Sequence, residues 1–271
     1  MTAILIFGSV DLMTMSGKEK IGLGLMGLFT TGSLAGLFMF GAIPQDLSYH
    51  EFADGRAIWG IPNLFDVMSN IPFVLVGLLG LYRASVRNKI KMIGINRLAY
   101  KLFFLGIALV GLGSGYYHLA PDNATLVWDR IPMTIAFMAL FSVVIGEFIS
   151  PKTGSFLLVP LVVLGVLSVI YWHWTEVAGR GDLRPYILVQ FLPMILIPVI
   201  LICFESACTM VGGYWILLAL YVAAKIFEHF DTQVFALHGW ASGHSIKHVM
   251  AAIGIYILLL AFGRRRCSRG N

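Results

Sequence analysis

The feature that most constrains this chain is a succession of eight apolar runs, at 20–43, 63–84, 98–119, 125–148, 155–175, 186–204, 214–235 and 244–262. Each is close to the ~20 residues a helix needs to cross the hydrocarbon core of a bilayer. Because an unpaired backbone group is too costly in lipid, such runs must close their hydrogen bonds internally, as helices. The sequence therefore predicts an all-α polytopic membrane protein. Composition agrees: 58% of the 271 residues are hydrophobic and 12% are charged, against about a quarter charged in soluble domains. Pro193 and Pro198 are expected to kink the sixth run.

The net charge of +5 reads as a topology signal, and no nucleic-acid partner is expected. Lys18 and Lys20 precede the first run. Arg83, Arg87, Lys89, Lys91, Arg97 and Lys101 lie between the second and third, and Arg264, Arg265, Arg266 and Arg269 follow the last. An even number of crossings puts all three clusters on one side, so both termini are expected in the cytoplasm. Arg180 and Arg184 fall on the other side, balanced by Glu176 and Asp182. The N-terminal stretch lacks a basic leader region and carries Asp11 inside its apolar run, which argues against a cleaved signal peptide. Cys203, Cys208 and Cys267 are too few and too scattered for a disulfide framework or a CxxC metal site.

Ionisable side chains in membrane helices are costly, so their positions point to function. Ser114 and His118 share a face at the outer end of the third run, Asp129 sits in the first turns of the fourth, and His244 and His248 share a face at the start of the eighth. The topology thus brings a serine, an aspartate and three histidines to one membrane depth. Three imidazoles with an open position are the ligand set of a catalytic zinc site, and two histidines at i and i+4 supply two of them from one helix. Asn63, Asp66 and Asn70 form a polar stripe near the outer end of the second run, with Ser69 beside it. The stripe is read either as interhelical hydrogen bonding or as support for a metal-bound histidine or a substrate headgroup. Lys225, Glu228 and His229 suggest an internal ion-pair network, His229 ranks as a weaker competing ligand, and His50, His173 and His238 read as surface histidines.

The segments "NLFDVMSN", "GSGYYH", "WDRIPM" and "SGHSIKH", in that order, resemble the alkaline ceramidase family, part of a wider group of seven-helix membrane hydrolases that includes the adiponectin and progestin receptors. The resemblance implies a seven-helix transmembrane bundle over residues 63–262. Residues 1–62 would add one extra transmembrane helix and an outer loop, and residues 263–271 a basic cytoplasmic tail. It also implies zinc held by His118, His244 and His248, Ser114 steadying an oxyanion, Asp129 exchanging protons with water at the metal, and hydrolysis of the amide of a ceramide-like membrane lipid to a sphingoid base and a fatty acid. The animal enzymes of the family carry an acidic calcium-binding stretch before and at the start of their first core helix. Here that region offers Asp46, Glu51, Asp54 and Asp66, but Asn63 stands where a carboxylate is expected, which weakens the case for Ca2+. A zinc-containing receptor without turnover would show a long soluble N-terminal domain, and a transporter would show inverted repeats and mid-membrane polar groups; this sequence has none of these.

Overall fold

A computed structural model describes residues 14–86 and 89–268, and all of these except the side chain of His238. Asp11, Arg87 and Arg269, used above for topology, lie outside the described residues, as does the side chain of His238. The described chain is a helical bundle: α1 Gly17–Met39, α2 Leu64–Met68, α3 Ile71–Ser85, α4 Arg97–Leu119, α5 Asn123–Phe148, α6 Pro151–Val177, α7 Arg184–Cys203, α8 Gly212–His229, α9 Asp231–His238 and α10 Gly243–Arg264. Among the described residues seven spans are long and apolar enough to cross a membrane; α2 and α3 count together as one of them. The eighth expected crossing, α8, has the length but carries Lys225, Glu228 and His229 near its end. The all-α polytopic architecture is as the sequence predicts.

Two of the expected helices are interrupted, each for a local reason. The second run breaks at Ser69 and Asn70 because Pro72, in the first turn of α3, has no N–H to return to Met68. The seventh run was expected to continue to 235, but α8 stops at His229 and α9 restarts at Asp231. Asp231 is drawn out of that helix by two backbone donors, His244 N (2.7 Å) and Ala53 N (3.0 Å). Pro193 and Pro198 both lie inside α7, which stays helical through them.

α5 is the most buried span, and it packs on α4, α6 and α7. α10 packs on α8 and α3, closing the bundle around the core formed by Phe104, Leu140, Val144, Ile200, Leu258 and Phe262. In lipid such contacts gain little from the hydrophobic effect, so close approach of backbones through small residues matters more. Gly77 meets Ala108 of α4 so closely that an added Cβ would lie 2.3 Å from the Ala108 nitrogen. α1 is peripheral, docked on α7 through Gly22 against Cys203 and Phe204.

Lys18, Lys20, Arg83, Arg97, Lys101 and Arg264 flank helix ends on one side of the bundle, which we call the basic end. The other is the histidine end. There Arg184 pairs with Asp182 at 2.8 Å and donates to the carbonyls of Leu37 and Phe40, so this arginine does structural duty. The Arg184 guanidinium also holds the Asp182 carboxyl below the usual carboxylate range. Asp122 caps α5 through Thr125 N, a bond that likewise lowers its pKa. At the basic end Cys208 and Cys267, 59 residues apart, are joined in a disulfide, and Thr209 N donates to Arg266 O beside it. Cys203 is free and buried.

Candidate metal centre

Local sequence explains why α4 and α5 deliver their polar residues to one spot. Pro132 cannot donate to the carbonyl of Trp128, one turn earlier on α5. That carbonyl faces α4 at Gly113, where any Cβ would fall 1.9 Å from it. Only glycine permits this approach. Its neighbour Ser114 is thereby set against Asp129, with which it interacts, and His118 follows one turn later on the same face of α4. On α10 the Ser242 hydroxyl caps the helix by accepting from Ser245 N, which places His244 in the first turn and His248 one turn above it. Gly243 is fixed by contact too, since a Cβ there would sit 2.1 Å from Phe227 O.

His118, His244 and His248 converge, all buried, with one ring nitrogen of each within 4.8 Å of the others. Nε2 of His118 and Nε2 of His244 are 3.3 Å apart. Tetrahedral zinc with Zn–N of about 2.0–2.1 Å separates its nitrogen ligands by roughly 3.3 Å, so these residues fit the metal the sequence suggests. The Ser69 hydroxyl spends its proton on Asp66 O (2.9 Å) and lies 2.8 Å from His248 Nδ1. It must therefore accept from Nδ1–H, because a hydroxyl has one donor, and this leaves the Nε2 lone pair of His248 free for the cluster. Among the described residues no carboxylate joins the three rings. His229, the weaker alternative, is exposed and outside the cluster.

The polar stripe of the second run supports this site. Asn63 Nδ2 donates to His118 O (2.9 Å), and Asn70 Nδ2 donates to Asp66 O (2.8 Å). Asp66 Oδ1 accepts from Ser242 (3.1 Å) and Ser245 (2.5 Å), pinning the start of α10. The acids once grouped for calcium do not assemble among the described residues: Asp54 pairs with Arg56 at 2.6 Å, Asp46 caps a short turn at Ser48 N, and Glu51 is exposed.

Several contributors escaped the sequence reading. Phe52, from the loop before α2, lies edge-on to both His118 and His244, with centroids 4.6 Å away in each case. His50, expected at the surface, is held by Tyr117 OH (2.8 Å) and Asn123 Oδ1 (2.9 Å). Lys247 joins Lys225 on Glu228, at 2.5 and 2.6 Å, while His229 takes no part in that network. For Lys247 a signal existed, a lysine one residue before a buried histidine. His50 and Phe52 lie in and just after a short 3-10 turn, Leu47–His50, whose path no periodicity encodes.

Beside the histidines lies a cavity of about 290 Å³, lined by Ser114, Asp129, Arg130, Lys247 and His248 among others. A second chamber of about 130 Å³ extends toward the basic end between Phe103, Ile107, Leu140 and Ile255. The two share Phe73, Val110, Met133, Tyr221 and Ala251, so the cavity beside the histidines adjoins an apolar chamber along a common wall. The family model described as Ceramidase matches residues 59–270. The chain belongs to the ceramidase family. No curated protein matches it. The matched region begins just ahead of α2 and includes every histidine of the cluster together with Ser114 and Asp129, whereas α1 lies outside it.

Proposed function

We propose that this ceramidase-family chain is an integral-membrane, zinc-dependent hydrolase that cleaves the amide of ceramide or a related lipid to a sphingoid base or amine and a fatty acid. The observation that carries this is the convergence of three buried imidazoles beside a cavity lined by His248, Ser114 and Asp129, which adjoins an apolar chamber. His118, His244 and His248 would hold the ion through Nε2. When bound, zinc supplies Lewis acidity, polarising a carbonyl and acidifying water.

The chain's own residues do the rest. Asp129 accepts a proton as water oxygen attacks the acyl carbon, and returns it to the nitrogen as the C–N bond breaks. Ser114 donates a hydrogen bond to the carbonyl oxygen as it gains charge. The apolar chamber takes the hydrocarbon chain, and Phe52 covers the histidines against bulk water. Residues 63–262 form the working core in this reading, with residues 1–62 and 263–271 as additions.

We place both termini in the cytoplasm and the histidine end on the opposite face. Three basic clusters at one end support this by the positive-inside rule. The Cys208–Cys267 bridge at the same end favours the reverse, since cytosolic disulfides are rare; the clusters are the more numerous signal. A membrane-impermeant amine label applied to intact cells should leave Lys18 and Lys20 unmodified, and their modification would invert the topology.

The functional test is incubation of purified, zinc-loaded protein with ceramides, other N-acyl amines and glycerolipids. Free fatty acid with stoichiometric amine from an amide lipid is the expected result. No release from any lipid with zinc bound would favour a receptor or regulatory protein without turnover.

A further inference from the structure

Arg130 follows Asp129 on α5 and takes no part in the mechanism above. It is 5% exposed, its Nη2 donates to Gln45 Oε1 (2.6 Å), and its Nη1 is buried with no partner among the described residues. No carboxylate lies within ion-pair distance of it among those residues. Its plane is instead held by aromatic rings, with the guanidinium carbon 4.2 Å from the Trp172 centroid, 4.6 Å from Tyr186 and 5.6 Å from Tyr49. Gln45 is itself fixed, its backbone N–H donating to Glu176 Oε1 at 2.6 Å. A buried cation costs several kcal/mol unless something pairs with it, and truncating an Arg site to one satisfied nitrogen leaves its fork half used.

Arg130 lines the 290 Å³ cavity. Among the ionisable side chains of that wall, Lys225 and Lys247 share Glu228, and Asp129 is the other carboxylate, not paired with Arg130. Three cations against two carboxylates leave one positive charge over, before any metal is added. Direction matters as well. The apolar chamber adjoins the cavity on the side of Met133 and Ala251, whereas Gln45, Tyr49 and Tyr186 line the cavity at the histidine end. A lipid with its chain in the chamber and its amide at His248 and Asp129 therefore directs its headgroup toward Arg130.

We infer that Arg130 is a specificity residue that binds an oxyanion on the amine side of an N-acyl lipid, so that the chain prefers amides with an anionic headgroup over neutral ones. This rests on the hydrolase reading for the position of the amide, but the charge preference can be measured without turnover. The carboxylate of a released fatty acid offers the same chemistry from the other side of the amide, and the probes below separate the two.

Equilibrium binding to the purified zinc-loaded protein is measured for N-palmitoylglycine, for the neutral N-palmitoylethanolamine of similar size, and for palmitate, with free amine assayed in the same samples. A charge-assisted bond of this kind corresponds to about a tenfold to hundredfold preference. N-palmitoylglycine should bind at least about tenfold more tightly than N-palmitoylethanolamine, Arg130→Gln should abolish that ratio with zinc content retained, and Arg130→Lys should keep part of it. Equal affinities in the unsubstituted protein, or an unchanged ratio in Arg130→Gln, overturn the inference; if Arg130→Gln does not fold, the unsubstituted ratio and Arg130→Lys still decide. An Arg130-dependent gain for palmitate alone overturns the headgroup assignment in favour of the product carboxylate. Release of no amine from either amide probe or from ceramide assayed beside them, with the charge ratio intact, would sink the hydrolase reading and leave this one standing.

Discussion

Two buried polar clusters sit at opposite ends of α4, separated by the eighteen residues from Tyr100 to His118, or about 27 Å of helix. At the basic end Arg265 meets Glu147 at 2.7 Å, donates to Tyr100 OH at 2.8 Å and to Lys91 O at 2.7 Å, and lies over Phe262; Tyr100 donates in turn to Glu147. Opposite charges close on each other there, tying the end of α5 to the end of α10. At the histidine end three imidazoles turn the same kind of atom, a ring nitrogen, toward one another with no carboxylate between them. The two clusters thus differ in complementarity: the first closes opposite charges on each other, whereas the second gathers three imidazoles that could hold a cation.

The comparison can be broken from either end. His248→Ala should have the largest effect, removing bound zinc and hydrolysis together, as read by metal analysis and fatty-acid release; full zinc content in that variant would dissolve the site as drawn. Asp129→Asn should retain zinc while lowering kcat about 10²–10⁴-fold, the usual range for a general base, and near-normal turnover would remove Asp129 from the chemistry. Glu147→Ala, at the other cluster, should destabilise the fold by about 3–5 kcal/mol by stranding Arg265, seen as a lowered unfolding midpoint, yet leave zinc stoichiometry in the folded fraction unchanged. Ser69→Ala should have the smallest effect of the four, weakening zinc affinity about 10–100-fold through loss of the His248 tautomer lock; unchanged affinity would mean that Ser69 does not orient the ring.

The architecture and the three histidines were legible because both follow from helical periodicity and depth. Once eight apolar runs are laid antiparallel, His118, His244 and His248 must share a level, and Ser114 and Asp129 fall beside them. What was not legible depends on departures from ideal helices or on contacts across them. Ser69 reaches His248 because Pro72 breaks the second run at that point, so a continuous-helix stripe of Asn63, Asp66 and Asn70 passed over the residue that makes the contact. Asp231 was counted inside a helix, although its bonds to His244 and Ala53 end that helix early. Gln45, Tyr49, His50 and Phe52 arrive on or beside the short 3-10 turn Leu47–His50, and Cys208 finds Cys267 only once α8 and α10 have packed.

X-ray absorption at the zinc edge of the purified protein tests the central claim most directly. The account predicts a first shell with three imidazole nitrogens at about 2.0–2.1 Å, and loss of that bound zinc in His118→Ala, His244→Ala and His248→Ala alike. A shell containing sulfur, or one unchanged by all three substitutions, would contradict it.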